Sequence, residues 1–212
     1  MPEIVDMTFK RRKPERFAVL WDTGEEMLMT PETALKYQFS PGKNFEEETY
    51  LAIVREDQTL LAKDQLLTYL GIRPHSRQEL FLKVLKKGYS KEAIEDAITA
   101  LERVGLIDDE AFTRAFIQNE LRLRPCGKRL LAEKLRQKGV MATLFEDILR
   151  EAYDDNPPRD LILEQLQKQQ RRHQHLDPEK KREKIIRFLL SRGFEWEQVR
   201  EVIGTDTLPD ED

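Results

Sequence analysis

The sequence predicts a mainly helical (mainly α) protein made of three tandem three-helix repeats, preceded by a small N-terminal module that is partly β. Three observations lead to this prediction. Shifting the chain by 51 residues, and then by a further 54, superimposes the same apolar pattern, with Gly88, Gly139 and Gly193 at one point of the repeat. Three basic blocks are each followed by an acidic block. Strand-like runs occur only within the first 60 residues.

Composition limits the class of protein. The 212 residues include 36 basic and 40 acidic side chains, which give a formal net charge of −4. No run approaches the roughly 20 apolar residues that a membrane span requires. Residues 1–12 carry no secretory or transit signal, so we expect the cytoplasm. The single cysteine, Cys126, excludes an intramolecular disulfide framework and a cysteine-based zinc site.

The N-terminal module is expected at residues 1–60, with short strands at 16–22, 27–30 and 49–55 and a helical turn at 33–37. The repeats are placed at 61–107, 108–155 and 156–204, and an acidic tail follows at 205–212. A lead-in helix such as 64–70 completes the first repeat. None of these short helices is expected to be stable alone, so each depends on packing against its neighbours.

Helix ends in the first repeat are marked by capping residues. Ser76 and Glu79 form a capping box ahead of an apolar helix face. Gly88 ends this helix, and the lysine before it suits the negative C-terminal end of the helix dipole. The next helix is predicted to begin near Ser90 and to end near Gly105.

The other two repeats carry similar markers. Asp108 or Asp109 is expected to cap a helix that ends before Pro125. This capping role is favoured over acid/base catalysis for the two aspartates. Two N-cap and proline pairs mark helix starts in the third repeat: Asn156 with Pro157, and Asp177 with Pro178. The polar stretch 165–176 is either the end of a long helix or a loop.

No residues assemble a catalytic, cofactor or metal site. Gly127 and Lys128 lack the upstream glycine and the following Ser or Thr of a phosphate-binding loop. His173 and His175 have too few neighbouring ligands to hold a metal ion. Cys126 has no histidine near it in sequence to act as a base. We therefore predict a protein that is not an enzyme and needs no cofactor.

Cations recur at equivalent positions of the repeats, a pattern that suits contact with a regular polyanion. The three series are Arg77, Lys128 and Arg182; Lys83 and Lys134, interrupted at Phe188; and Lys87, Lys138 and Arg192. The alternative interpretation treats these side chains as solvated faces and helix-dipole partners, and it accounts well for the last series.

A helix, a glycine turn and a second helix also resemble a helix-turn-helix motif, whose second helix would enter the major groove of DNA. In this chain those second helices are acidic, with Glu92 and Glu95 in the first repeat and Glu146 in the second. Repulsion from phosphates makes base reading by these helices unfavourable. One basic and one acidic surface would instead suit a partner that offers both nucleic acid and protein.

Several runs of the chain resemble the bacterial RecX regulatory proteins. Residues 76–80, the Lys86-Lys87-Gly88 turn, and the runs 105–112 and 128–139 follow the order and spacing of that family, and the resemblance covers about 64–203. Residues 1–60 resemble the N-terminal extension that some members carry. The chain departs from a minimal member in this module, in a longer third repeat around 165–178 and in the acidic tail.

The resemblance implies a cytoplasmic modulator of the RecA recombinase whose repeats curve into an elongated array. Family members lie in the groove of the RecA filament on single-stranded DNA, inhibit strand exchange, ATP hydrolysis and co-protease activity, and favour filament loss. We expect a monomer without membrane contact, and weak direct DNA binding stays open. The positions that the resemblance assigns to filament or DNA contact are Arg77, Lys83, Lys87, Lys128, Arg129, Lys134, Lys138, Arg182 and Arg192. Charge reversal at Lys83 and Lys134 together is expected to weaken filament binding.

The alternative function is an independent DNA- or RNA-binding protein that acts without a recombinase. The near-neutral net charge and the acidic helices count against it. Strong, salt-sensitive binding to naked DNA would count for it.

Overall fold

The computed structural model describes residues 1–11 and 15–204. The acidic tail expected at 205–212 lies outside the described residues. The chain divides after Ile107 into two compact units, which are described separately below. None of the described helices is long and apolar enough to cross a membrane.

The first unit begins with a three-stranded antiparallel sheet in the order β1 (Ile4–Lys10), β2 (Arg16–Trp21), β3 (Glu26–Met29), followed by a short helix, α1 (Pro31–Lys36). The strands predicted at 16–22 and 27–30 and the helical turn at 33–37 are confirmed. Strand β1 was not predicted, because most of its side chains are exposed and it is held by pairing with β2. Trp21 is 1% exposed and packs edge-on against three aromatic rings, which are those of Phe39, Phe45 and Tyr50.

The strand predicted at 49–55 is wrong. These residues lie inside α2, a helix that runs without interruption from Glu47 to Leu70 and crosses the boundary expected at residue 60. The first half of α2 buries Ile53 in the core of the sheet module, and the second half buries Ala62 and Leu66 in the core of the first repeat. The N-terminal module and the first repeat therefore share one helix.

The first repeat is completed by α3 (Arg77–Leu85) and α4 (Lys91–Arg103). The Oγ of Ser76 accepts a hydrogen bond from Glu79 N at 3.1 Å, as the predicted cap requires. Gly88 has φ +92°, a left-handed conformation that costs glycine little and that ends α3. Ser90 caps α4 through a hydrogen bond from Ala93 N at 3.2 Å.

The second unit contains the second and third repeats. Its helices are α5 (Asp109–Leu123), α6 (Lys128–Gln137), α7 (Ala142–Asp155), α8 (Pro158–Arg172), α9 (Pro178–Ser191) and α10 (Trp196–Ile203). Their apolar faces form one continuous core, in which Phe145, Leu131 and Leu135 are fully buried. The predicted fold class is confirmed: three three-helix repeats follow a small sheet-containing module.

Capping in the second unit follows the sequence in part. Asp108 caps α5, because its Oδ1 accepts hydrogen bonds from the backbone N–H groups of Glu110 and Ala111, both at 2.9 Å. Asn156 is not an N-cap. Its side-chain Nδ2 donates back to Ala152 O at 2.9 Å, so the residue closes α7 and leaves Pro157 at the N-cap position of α8.

In the third repeat, the predictions concern the N-cap at Asp177 and the conformation of the polar stretch 165–176. Asp177 stands at the N-cap position of α9, but its side chain makes no capping hydrogen bond. Of the polar stretch 165–176, the residues up to Arg172 belong to α8. A turn follows, in which Leu176 N donates to His173 O at 3.2 Å.

The start of α6 lies directly against the turn after α9. Gly127 N donates to Arg192 O at 2.9 Å. A Cβ atom at Gly127 would lie 1.9 Å from Gly193 O, so only glycine allows this approach of two backbones. The hydroxyl of Tyr153 donates to Cys126 O at 2.6 Å and fixes the residue before this contact.

Candidate binding surface

The recurring cations are carried by the second helix of each repeat, which is α3, α6 or α9. Arg77 and Lys128 are the first residues of α3 and α6, and Arg182 lies in the first half of α9. Lys87 follows the end of α3, and Lys138 and Arg192 are the cap residues that end α6 and α9. The structure therefore places the first series in the first half of the three helices and the last series at their ends, although Arg182 lies further into its helix than Arg77 and Lys128 do.

Arg77 is held by carboxylates of its own repeat. One Nη atom donates to Glu95, and Nε lies 3.1 Å from an Oε atom of Glu102, both on α4. The side chain is only about one third exposed, at 35%. This guanidinium ties α3 to α4 and presents little charge to a partner.

The lysines of the second series pack against the first helix of their repeat. Lys83 Nζ lies 5.1 Å above the centre of the Tyr69 ring. Lys134 Nζ lies 2.5 Å from Glu120 Oε2, in a pair whose side chains are 26% and 17% exposed. Tyr69 and Glu120 are themselves related by the 51-residue shift. The two lysines thus share a structural position. Lys83 rests on an aromatic ring and lies 3.7 Å from Glu79 Oε1 of its own helix, whereas Lys134 pairs with a carboxylate of the preceding helix.

His75 completes the environment of Lys83. Its Nδ1 lies 2.8 Å from Arg73 O, which can only accept, so Nδ1 carries the proton and Nε2 accepts from Lys83 Nζ at 2.6 Å. The residue is 3% exposed. Burial, followed by the neighbouring cations Arg73 and Lys83, lowers the pKa of His75 below its usual value.

This lowered pKa predicts a loss of stability in mild acid. Because the folded state favours the neutral ring, the unfolded chain takes up the proton more readily. Stability that is complete above the unfolded pKa of about 6.5 is then lost as the pH falls towards the folded pKa. We expect His75→Gln to flatten the decline in unfolding free energy below about pH 6.5, measured by urea unfolding across that range. The same change at the exposed His175 should leave the decline as it is in the unaltered protein.

Arg192 and Arg182 make contacts with backbone carbonyls. Arg192 donates through Nη2 to Arg124 O and, at 3.0 Å, to Pro125 O, which braces the turn before α6. Arg182 is exposed, and its Nη2 donates to Gly204 O at 2.8 Å. Lys138 is half-buried at the end of α6. Arg182 and Arg192 therefore contribute to the structure of their own unit.

Lys87, Lys128 and Arg129 differ from the other predicted contact residues in having no side-chain partner within the described part of the chain. All three are exposed. Within residues 1–11 and 15–204, they form neither an ion pair nor a side-chain hydrogen bond. Cations that are already solvated and unpaired can bind phosphate or carboxylate groups without first breaking an internal contact. Of the nine predicted contact residues, these three are the most available to a partner.

Arg124 is a further exposed cation that is not among the nine predicted contact residues. It is exposed at the end of α5, and in the part of the chain that the structure describes its side chain has no ion-pair partner. It lies 51 residues after Arg73, so the repeat shift itself carried the signal. Arg73, however, is paired with Glu79 at 2.5 Å.

The second unit contains a groove of mixed charge. The groove, of about 590 Å³, is lined by both cations and anions, including Arg114, Arg122, Glu151 and Glu164. The described residues contain no group of three or more His, Cys, Asp or Glu side chains arranged to hold a metal ion. Cys126 is fully buried, and burial raises the pKa of its thiol, which opposes formation of the reactive thiolate.

Comparisons with known proteins agree with this architecture. Family models match the first three-helix domain of RecX at residues 62–101, the second at 108–149 and the third at 159–203. The regulatory protein RecX of Pelodictyon phaeoclathratiforme is 36% identical over 146 residues, which cover 69% of this chain and 89% of that protein. The regulatory protein RecX of Finegoldia magna is 27% identical over 198 residues, which cover 91% and 94%. A crystal structure of a regulatory protein RecX has a similar fold, with a TM-score of 0.66 at 21% identity over 96% of this chain and 99% of that one.

Proposed function

The chain belongs to the RecX family of regulatory proteins, and from this premise we propose that it binds the filament that the RecA recombinase forms on single-stranded DNA. Binding inhibits strand exchange, ATP hydrolysis and co-protease activity, and it favours loss of the filament. In this role the chain acts as a monomer in the cytoplasm and performs no chemistry of its own.

The observation that carries the proposal is the separation of charge between the helices of each repeat. The exposed, unpaired cations Lys87, Lys128 and Arg129 follow or begin the second helices. The third helices expose carboxylates, among them Glu92 on α4 and Glu146 on α7. The cations suit phosphates or acidic protein groups, whereas the carboxylates would repel a bare nucleic acid. A filament of protein on DNA offers phosphates or acidic groups to the cations and basic protein groups to the carboxylates.

An independent nucleic-acid-binding protein is the second candidate. The exposed cations favour it, because they require only a polyanion. The exposed carboxylates oppose it, because simple binding to a single strand would leave them unused and close to phosphates.

Anisotropy of labelled single-stranded DNA distinguishes the two functions. The DNA is used bare or coated with RecA and a slowly hydrolysed ATP analogue, and the ATPase rate of RecA with ATP is followed in parallel as the chain is added. We expect tighter binding to the coated DNA, together with a falling ATPase rate. Equal or stronger binding to bare DNA with an unchanged ATPase rate would replace the proposal with the second candidate.

A further inference from the structure

The turn between the first two helices has the same sequence pattern in the first and second repeats, and in both it exposes an aliphatic side chain. Ile72 precedes Arg73 and Pro74, and 51 residues later Leu123 precedes Arg124 and Pro125. Ile72 is 76% exposed and Leu123 is 62% exposed. Neither side chain contributes much to a core, so folding alone does not explain an aliphatic residue at both positions.

The backbone around the two side chains is similar but not identical, because Ile72 lies in the turn after α2 and Leu123 is the last residue of α5. Arg73 N donates to Tyr69 O at 3.4 Å, and Arg124 N donates to Glu120 O at 2.8 Å, which is the equivalent bond. The residue after each proline is buried, at 3% exposure for His75 and 0% for Cys126. A proline with a fixed φ and a buried residue behind it keep each turn in place before any partner binds.

Two other exposed apolar residues, Val104 and Met141, do not repeat. Val104 is 67% exposed and Met141 is 71% exposed. The positions related to them by the 51-residue shift hold Asp155 and Ser90. Single exposed apolar residues are ordinary on protein surfaces, but an exposed one that recurs at the same turn is a pattern. The third repeat lacks it, because its corresponding turn has the half-buried Leu176 followed by Asp177.

We propose that Ile72 and Leu123 are two equivalent anchors that insert into the same apolar pocket on two copies of one repeating protein subunit. Aliphatic side chains gain free energy only by leaving water for an apolar surface, which a phosphate backbone does not offer. Two turns of the same sequence pattern on one chain match two identical surfaces, which a homopolymer supplies. The inference rests on the proposed function, in which that homopolymer is the RecA filament. The two turns then contact protein, and the exposed cations contact charged groups of the filament.

The test compares Ile72→Ser, Leu123→Ser and the double variant with a control that carries Val104→Ser and Met141→Ser. All four side chains are more than 60% exposed, so the fold should survive in every variant. Each single change is expected to weaken binding to RecA-coated DNA about tenfold, and the double change about 100-fold. The control should bind as the unaltered chain does, and binding to bare DNA should be the same for all variants.

A photo-crosslinking residue placed at each of the four positions adds a second measurement. Positions 72 and 123 should crosslink to RecA protomers, whereas positions 104 and 141 should not. If the double variant binds coated DNA as tightly as the control does, Ile72 and Leu123 are not anchors, while the proposed function stands. If the unaltered chain itself does not prefer coated DNA, the proposed function fails and the anchors fail with it. Crosslinking of positions 72 and 123 to DNA would also overturn the inference.

Discussion

Gly127→Ala is expected to lower the unfolding free energy of the second unit by about 3 kcal/mol, the largest effect that we expect of a Gly→Ala change among the described glycines. The added Cβ would lie 1.9 Å from Gly193 O and 2.2 Å from the carbonyl carbon of that residue. Both are backbone atoms, so no side-chain rotation relieves the clash. To accommodate the methyl group, α6 must move away from the turn after α9 and weaken the bond from Gly127 N to Arg192 O.

Gly204→Ala is the matched control in the same unit. Gly204 has φ +70°, which strains any side chain, but a Cβ atom there would have no neighbour within 4 Å. Gly127 has φ −75°, a value open to all residues. Backbone strain alone predicts that the change at Gly204 costs more, about 1 kcal/mol, and that the change at Gly127 costs nothing. Urea unfolding followed by circular dichroism distinguishes the close contact from backbone strain alone. Equal losses of unfolding free energy at the two positions would contradict the close contact.

The turns of this fold were predictable because their causes are local. A left-handed residue after a helix requires glycine, and Gly88, Gly139 and Gly193 have φ values of +92°, +75° and +80°. The capping side chains of Ser76 and Asp108 lie within three residues of the N–H groups they accept from. The contact of Gly127 with Gly193 was not predictable, because it joins positions that are distant in sequence and leaves no periodic signal.

Helix α2 shows why the boundary of the N-terminal module was misjudged. Residues 49–55 include Thr, Tyr, Ile and Val, which favour strands locally. The helix packs on two cores in succession, so Ile53 and Leu66 do not belong to one apolar stripe. Asp57 is also buried, and its Oδ1 accepts from Thr30 N at 2.8 Å and from Thr30 Oγ1 at 2.7 Å. A buried carboxylate with a partner far along the chain hides the apolar periodicity of the helix.

The positions of the candidate surface cations were predictable from the sequence. Which of them are paired inside the protein, and which are free to bind a partner, was not. The repeat shift located every cation of the three series, since a shared fold places shared positions alike. Arg77 and Lys134 have partners on other helices of the same unit, Glu95 and Glu120, and no spacing rule reveals these two pairs. Reversing Lys83 and Lys134 together would therefore disturb packing inside both units as well as any contact with a filament. That pair is a poor test of the surface.

The triple variant Lys87→Glu, Lys128→Glu and Arg129→Glu is expected to weaken binding to RecA-coated single-stranded DNA about 100-fold at low salt. These side chains are exposed and unpaired within the described part of the chain, so their reversal leaves the fold intact. Inhibition of the RecA ATPase should require correspondingly more protein. If the cations contact phosphates, the slope of log affinity against log salt should fall by about 2, because each phosphate contact on a single strand contributes roughly 0.7.

A second triple variant, Arg103→Glu, Lys180→Glu and Lys184→Glu, is the matched control. Its side chains are also exposed and unpaired among the described residues, and it changes the net charge by the same amount. An effect of overall charge would weaken the binding of both variants to coated DNA equally. If binding uses a specific surface, affinity falls only when the cations of that surface are reversed. Equal losses in the two triples would therefore remove Lys87, Lys128 and Arg129 from the contact surface. A loss of affinity with an unchanged salt slope would instead place these cations against acidic groups of RecA rather than against DNA.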